Sequence, residues 1–132
     1  MTFERIGHIN IKTSDYEGTM RFYESLFGLA RGPAATMTDQ TRNGWLHGPD
    51  GRPILHVNSL SEGDERPAGS ASRLDHVAFD CRDRAGMQAR LDAAGVPYEV
   101  RDTRVAGLVQ INLRDPNGIK LELTFGHEAV RR

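Results

Sequence analysis

The sequence has one cysteine and one tryptophan among its 132 residues, and no surplus charge of either sign. A lone Cys81 excludes an intrachain disulfide and fits a reducing compartment. It follows a strand-like segment and reads as a structural residue. With 17 Lys and Arg against 18 Asp and Glu, the formal net charge is −1, which removes any electrostatic case for nucleic acid or an anionic membrane. A run of about 18 apolar residues occurs nowhere, and the first residues lack a signal-peptide core. The expectation is one compact cytoplasmic domain whose partner is a small molecule.

What is present is a pattern of short alternating segments. The clearest is Asp115 to Phe125. Pro116-Asn117-Gly118 is turn chemistry, and the residues after it alternate. Ile119, Leu121, Leu123 and Phe125 share one face, and Lys120, Glu122 and Thr124 share the other. Glu122 thus points away from the core from the middle of a strand, where a cavity would require a cation or strong donors beside it.

The rest of the chain reads in order. Residues 4–12 are expected as a strand with Ile9 and Ile11 on one face and His8 and Asn10 on the other. Ser14 and Glu17 form a capping box for a helix carrying Tyr16, Met20, Tyr23, Leu26 and Phe27 on one stripe and ending at Gly28. A weak strand near Leu29–Thr36 precedes a stronger one at Asn43–His47. Gly48-Pro49-Asp50-Gly51 then turns the chain into Pro53–Ser59. Ser61 to Ser72 lacks any large apolar residue and has linker composition. The pattern then restarts: a strand at Leu74–Asp80, a helix at Arg82–Ala94 with Met87, Leu91 and Ala94 inward, and strands at Pro97–Asp102, Leu108–Leu113 and Ile119–Phe125.

The two halves superpose by count. His8 and His76 are 68 residues apart, Gly28 and Gly95 are 67 apart, and so are Gly51 and Gly118. His56 and Glu122 are 66 apart, so the first half must absorb one residue near its last turn or strand. This is an internal repeat of a βαβββ module, and the fold class it implies is α+β. The modules are expected at residues 1–60 and 73–126, with the linker at 61–72.

Each half has a first and a last strand, and in all four the residue opposite the apolar face is His8, His56, His76 or Glu122. A single histidine at such a position is more often a satisfied core or surface residue than a ligand. Four matching parities at repeat-related positions favour a divalent metal: Zn, Ni, Co, Mn or Fe(II). Parity also places Asn10, Asn58, Gln110 and Asn112 on that side. Trp45 aligns with Asn112 and so joins them as a substrate wall, though a core tryptophan fits equally. Arg5 and Lys120 are candidate anion contacts or solvated strand ends; His47 and His127 read as surface residues.

Four segments carry a family resemblance: Gly7-His8-Ile9, Met20 to Leu29 (MRFYESLFGL), Asp75 to Phe79 (DHVAF) and Asp115 to Leu123 (DPNGIKLEL). Together they resemble the vicinal oxygen chelate superfamily, which includes glyoxalase I, epimerases, extradiol dioxygenases, and fosfomycin- and bleomycin-resistance proteins. The resemblance implies two βαβββ modules curled into an open eight-stranded barrel with helices outside, a homodimer, and metal ligands at His8, His56, His76 and Glu122. Bleomycin-binding members lack the metal ligands, and no phosphonate-binding set of the fosfomycin enzymes is recognisable. Glyoxalase I has a carboxylate where this chain has His56.

Superfamily chemistry implies a metal that chelates two adjacent substrate oxygens and stabilises the resulting enediolate, with Glu122 shuttling a proton. Four protein ligands leave about two open positions on an octahedral ion, enough for a bidentate substrate and for lyase, isomerase or epimerase chemistry. Three ligands (His8, His76 and Glu122) leave about three, which suits an Fe(II) extradiol dioxygenase. His56 therefore decides between these readings, and a small-molecule-binding resistance protein stands as a third.

Overall fold

A computed structural model describes residues 2–33, 41–64 and 74–126. The chain divides into two compact units, Met1–Glu65 and Arg66–Arg132. Each has the expected order of strand, helix and three strands. Unit 1 contains β1 (Ile9–Thr13), α1 (Tyr16–Phe27), β2 (Ala30–Gly32), β3 (Asn43–His47) and β4 (Pro53–Ser59). Unit 2 contains β5 (Val77–Cys81), α2 (Arg84–Ala94), β6 (Tyr98–Asp102), β7 (Val109–Arg114) and β8 (Lys120–Phe125). The eight strands form two four-stranded sheets, ordered β1-β4-β3-β2 and β5-β8-β7-β6, one for each of the expected βαβββ modules. Each module satisfies its strand pairing internally.

In both sheets the first strand pairs in parallel with the last, and the other pairings are antiparallel. A parallel pair needs a long crossover, and here the helix and two strands between them supply it. In unit 1 the core is Ile11, Leu46, Leu55 and Val57 beneath Met20, Tyr23 and Leu26 of α1, all 5% exposed or less. In unit 2 Met87 and Leu91 of α2 are buried with Ile111, Leu113, Leu121, Leu123 and Phe125. Ala94, expected inward, is exposed. Its methyl sits in the last turn, just ahead of the left-handed cap Gly95.

Helix α1 is capped one residue later than the Ser14–Glu17 box would place it. Asp15 is the N-cap: its Oδ1 accepts from Gly18 N at 3.0 Å, and its own N donates to Thr13 Oγ1 at 2.9 Å. Glu17 is engaged elsewhere, by the Arg31 guanidinium of β2 at 2.9 Å, which holds its carboxyl below the usual range. Arg31 also reaches Glu24 at 2.8 Å, tying β2 to the helix. Helix α2 starts at Arg84, two residues later than expected, because Asp83 caps it and accepts from Gly86 N. Asp83 adopts φ 58°, the one positive φ at a non-glycine among the described residues.

The first strand of each unit is shorter at its start than its sequence pattern. β1 opens at Ile9 opposite Leu55, leaving His8 just outside the strand. Its partner begins at Pro53, which has no N–H to extend the ladder. β5 likewise opens at Val77, one residue after His76. The expected Leu29–Thr36 strand is seen as Ala30–Gly32, its residues 34–36 lying outside the described residues, as does most of the 61–72 linker.

The repeat mismatch has a located cause. Leu46 pairs with Leu55, but the next residue, His47, pairs with Pro53, so Ile54 is an extra residue on β4. In unit 2 the equivalent pairs, Leu113 with Leu121 and Arg114 with Lys120, run without interruption. The bulge precedes His56, which therefore keeps the parity of Glu122.

Gly44 lets α1 approach β3. A Cβ there would sit 2.2 Å from Tyr16 Oη and 2.7 Å from Met20 Cε. We expect Gly44→Ala to cost about 1–3 kcal/mol, as overpacking does. Gly7→Ala, where nothing lies within 4 Å, should change stability little. Urea unfolding midpoints of the two variants check this; equal midpoints would contradict the packing described.

Candidate functional site

In unit 2 the central strand β8 carries Glu122, flanked by Ala78 of β5 and Asn112 of β7. Because Leu121 and Leu123 are buried, the strand's period of two turns Glu122 to the opposite face. Its Oε2 lies 3.0 Å from His76 Nε2, and its Oε1 accepts a short hydrogen bond from Gln110 Nε2. The other imidazole nitrogen, Nδ1, lies 2.8 Å from Asp75 Oδ2, which also receives Lys120 Nζ at 3.2 Å. The His76 contact and the Lys120 ammonium hold the Asp75 carboxyl below the usual carboxylate range. An open depression here is lined by Asp75, His76, Glu99, Arg101, Asn112 and Lys120, with Glu122 on its floor.

In unit 1 the equivalent face is aromatic. Trp45 of β3 lies opposite His56 of β4, as Asn112 lies opposite Glu122. The two rings stack, with centroids 4.4 Å apart and planes 3° from parallel. His8 meets Trp45 edge-on at 4.7 Å, and its ring is 6.3 Å from that of His56. His56 Nε2 is buried with no hydrogen-bond partner among the described residues, and so is Trp45 Nε1. Desolvation, with His8 nearby, lowers the pKa of His56 from its ordinary value and favours the neutral ring. A neutral imidazole with an orphaned, buried nitrogen is the protonation state and donor that a metal requires.

The predicted ligands thus come together in pairs, His8 with His56 and His76 with Glu122. Among the described residues, no group of three or more His, Cys, Asp or Glu gathers within reach of one ion. Of the expected substrate-side residues, Gln110 and Asn112 belong to the unit 2 face. Asn10 is committed locally: its Nδ2 donates to His56 O at 2.9 Å and to Asn58 Oδ1 at 2.7 Å. Trp45 is only 7% exposed and lies against the two histidines. Among the described residues Arg5 pairs with neighbouring Glu4 at 3.5 Å.

His47 is not the surface residue expected. It is half-buried, with Nδ1 3.0 Å from Gly51 O and Nε2 buried without a partner among the described residues. The bulge beside it turns its ring onto the hairpin. His127 lies outside the described residues. The structure adds Asp75, which sequence reasoning passed over. Its one signal is a carboxylate directly before a candidate ligand. Cys81 is half-buried, and burial pushes its thiol up to about 11, in keeping with a structural role.

The family model for the Glyoxalase/Bleomycin resistance protein/Dioxygenase superfamily matches residues 5–123. No curated protein matches the sequence. Among solved structures, a glyoxylase/bleomycin resistance protein/dioxygenase domain from Frankia sp. EAN1pec is similar, with TM-score 0.76 and 18% identity over 96% of this chain and 95% of that one. Lactoylglutathione lyase from Agrobacterium tumefaciens gives 0.67 and 19% over 96% of both chains. The fosfomycin resistance protein FosX from Listeria monocytogenes gives 0.71 and 16% over 94% of both chains. At these identities the likeness is one of fold.

The chain's one tryptophan makes the state of His56 observable. Protonating a ring stacked on an indole changes the indole emission. We expect the metal-free protein to show a fluorescence transition with its midpoint below 6.5, the ordinary histidine value. That transition should vanish in His56→Gln. A midpoint at or above the ordinary value would contradict the desolvated stack.

Proposed function

Because the chain belongs to the glyoxalase/bleomycin resistance protein/dioxygenase superfamily, we propose that it is a divalent-metal-dependent enzyme of the glyoxalase I-like type. Its chemistry is that of a lyase, isomerase or epimerase acting on a small oxygenated substrate. His8, His56, His76 and Glu122 are the proposed ligands, and the homodimer implied by the resemblance is part of the same proposal. The observation that carries it is the pairing of a nitrogen and an oxygen donor, His76 Nε2 and Glu122 Oε2, at 3.0 Å on one strand face.

When bound, the divalent ion supplies Lewis-acid stabilisation of the anion formed from the substrate. Everything else falls to the chain's own side chains. Glu122 is also the proposed group that moves a proton, because its carboxylate projects from the middle of β8, opposite the buried Leu121 and Leu123. Gln110 occupies its Oε1, and Oε2 faces His76 Nε2. Asn112, on the same face, is placed to orient a substrate oxygen, and Trp45 excludes water from the histidine pair.

His56 supports the four-ligand reading through its parity and its orphaned Nε2. The stack on Trp45 favours the second reading, an Fe(II) extradiol-type dioxygenase that uses three ligands. Such a stack accounts for His56 as packing alone. A small-molecule-binding resistance protein is the third reading, and it requires no metal.

Metal analysis of the purified protein should find a stoichiometric divalent ion, lost in His76→Ala and Glu122→Ala with the circular dichroism unchanged. Full metal content in both variants would refute the site. His56→Ala should also lose metal and activity. If it keeps both, and the Fe(II) protein consumes oxygen on adding a catechol, the dioxygenase reading replaces the first.

A further inference from the structure

We propose that Asp75 is a positioning residue for His76, and that Lys120 fixes Asp75 in that role. The inference rests on the reading that His76 and Glu122 are metal ligands, and it adds a residue outside that set. Asp75 Oδ2 lies 2.8 Å from His76 Nδ1, and Lys120 Nζ lies 3.2 Å from the same oxygen. At the far side of the ring, Nε2 lies 3.0 Å from Glu122 Oε2. The imidazole is therefore held at both nitrogens, by carboxylates from two separate segments. A histidine that gives Nε2 to a metal keeps one ring proton, on Nδ1, and that proton needs an acceptor. Asp75 is that acceptor. The ammonium offsets its charge and restrains its rotation, while Gln110 restrains Glu122 by donating to its Oε1.

The repeat is an internal control. The residue equivalent to Asp75 is Gly7, directly before His8, and the stretch equivalent to Lys120 is Pro53-Ile54. Unit 1 therefore has neither the carboxylate nor the ammonium, and its histidines are held by Trp45 instead. The module can be built without the Asp75–Lys120 pair, so the pair is not a by-product of the fold. As an ion pair, with side chains 68% and 42% exposed, it contributes little stability of its own. Its effect is on the ring it orients.

The test uses Zn²⁺ as the probe, competed against a chromophoric chelator, on the full chain. We expect Asp75→Ala to bind Zn²⁺ about 10–100-fold more weakly than wild type, and Asp75→Asn, which keeps an acceptor oxygen, to lose less. Glu99→Gln removes a charge from the same depression without touching the His76–Asp75 bond, and its affinity should stay within about twofold. Equal losses in Asp75→Ala and Glu99→Gln would overturn positioning in favour of a general charge effect. No loss in Asp75→Ala would overturn it outright. Long-range ¹⁵N–¹H correlations of the metal-free His76 ring give a second readout. In wild type Nδ1 should carry a proton directed at Asp75, whether or not Nε2 carries one toward Glu122; in Asp75→Ala Nδ1 should lose its proton while Nε2 keeps one. An unprotonated Nδ1 in wild type would overturn the proposal. If wild type takes up no Zn²⁺, the metal reading falls, and the ring correlations still decide whether Asp75 orients His76.

Discussion

Parallel pairing between the first and last strands of each unit is the constraint on which the rest depends. It sets Ile9 against Leu55 in unit 1 and Val77 against Leu121 in unit 2, so in each unit two apolar side chains, one from each strand, share a face. Once that register is fixed, every alternate residue is committed to the other face. Glu122 stands beside Ala78, a side chain too small to cover it, and His76 comes within reach from just beyond the strand end. A slip of one residue would bury the carboxylate among leucines, at a desolvation cost far above what one strand pairing supplies. The site and the core are thus specified by one decision.

The two units use that geometry with opposite electrostatics. Unit 1 places its imidazoles against an indole, where loss of water favours the neutral form of His56. Unit 2 places its imidazole among carboxylates, an ammonium and an amide, in an open and wet depression. One half disfavours protonation by burial, and the other orients its donors by hydrogen bonding. The two units share one frame apart from the extra residue at Ile54, and they differ in the side chains that frame carries.

Much of this was legible in the sequence, because period-two alternation records which face is buried. The strand at Pro53–Ser59, the parity of His56 and the equivalence of Trp45 with Asn112 all follow from alternation and counting. What the pattern misjudged lies at element ends, where alternation carries no information. Ser14 and Asp15 are both good caps, and only the contact to Gly18 N chooses between them. His8 and His76 lie one residue outside their strands, because strand ends are set by the partner's hydrogen bonds. The aromatic stack and the Asp75 contact could not be read, since both depend on side-chain rotamers. His47 was misjudged for a related reason: its place beside the bulge, not its neighbours in sequence, turns it inward.

The extra residue Ile54 has a meaning of its own for how the two halves have diverged. A duplicated module accumulates insertions and deletions in its hairpins, and an odd change would ordinarily send every later side chain to the wrong face. A bulge placed between the hairpin and the donor acts as a reset. The turn around Gly51 can then drift in length while His56 keeps its orientation. The β7–β8 hairpin has no such buffer, so the spacing from its turn to Glu122 is the less free of the two to change.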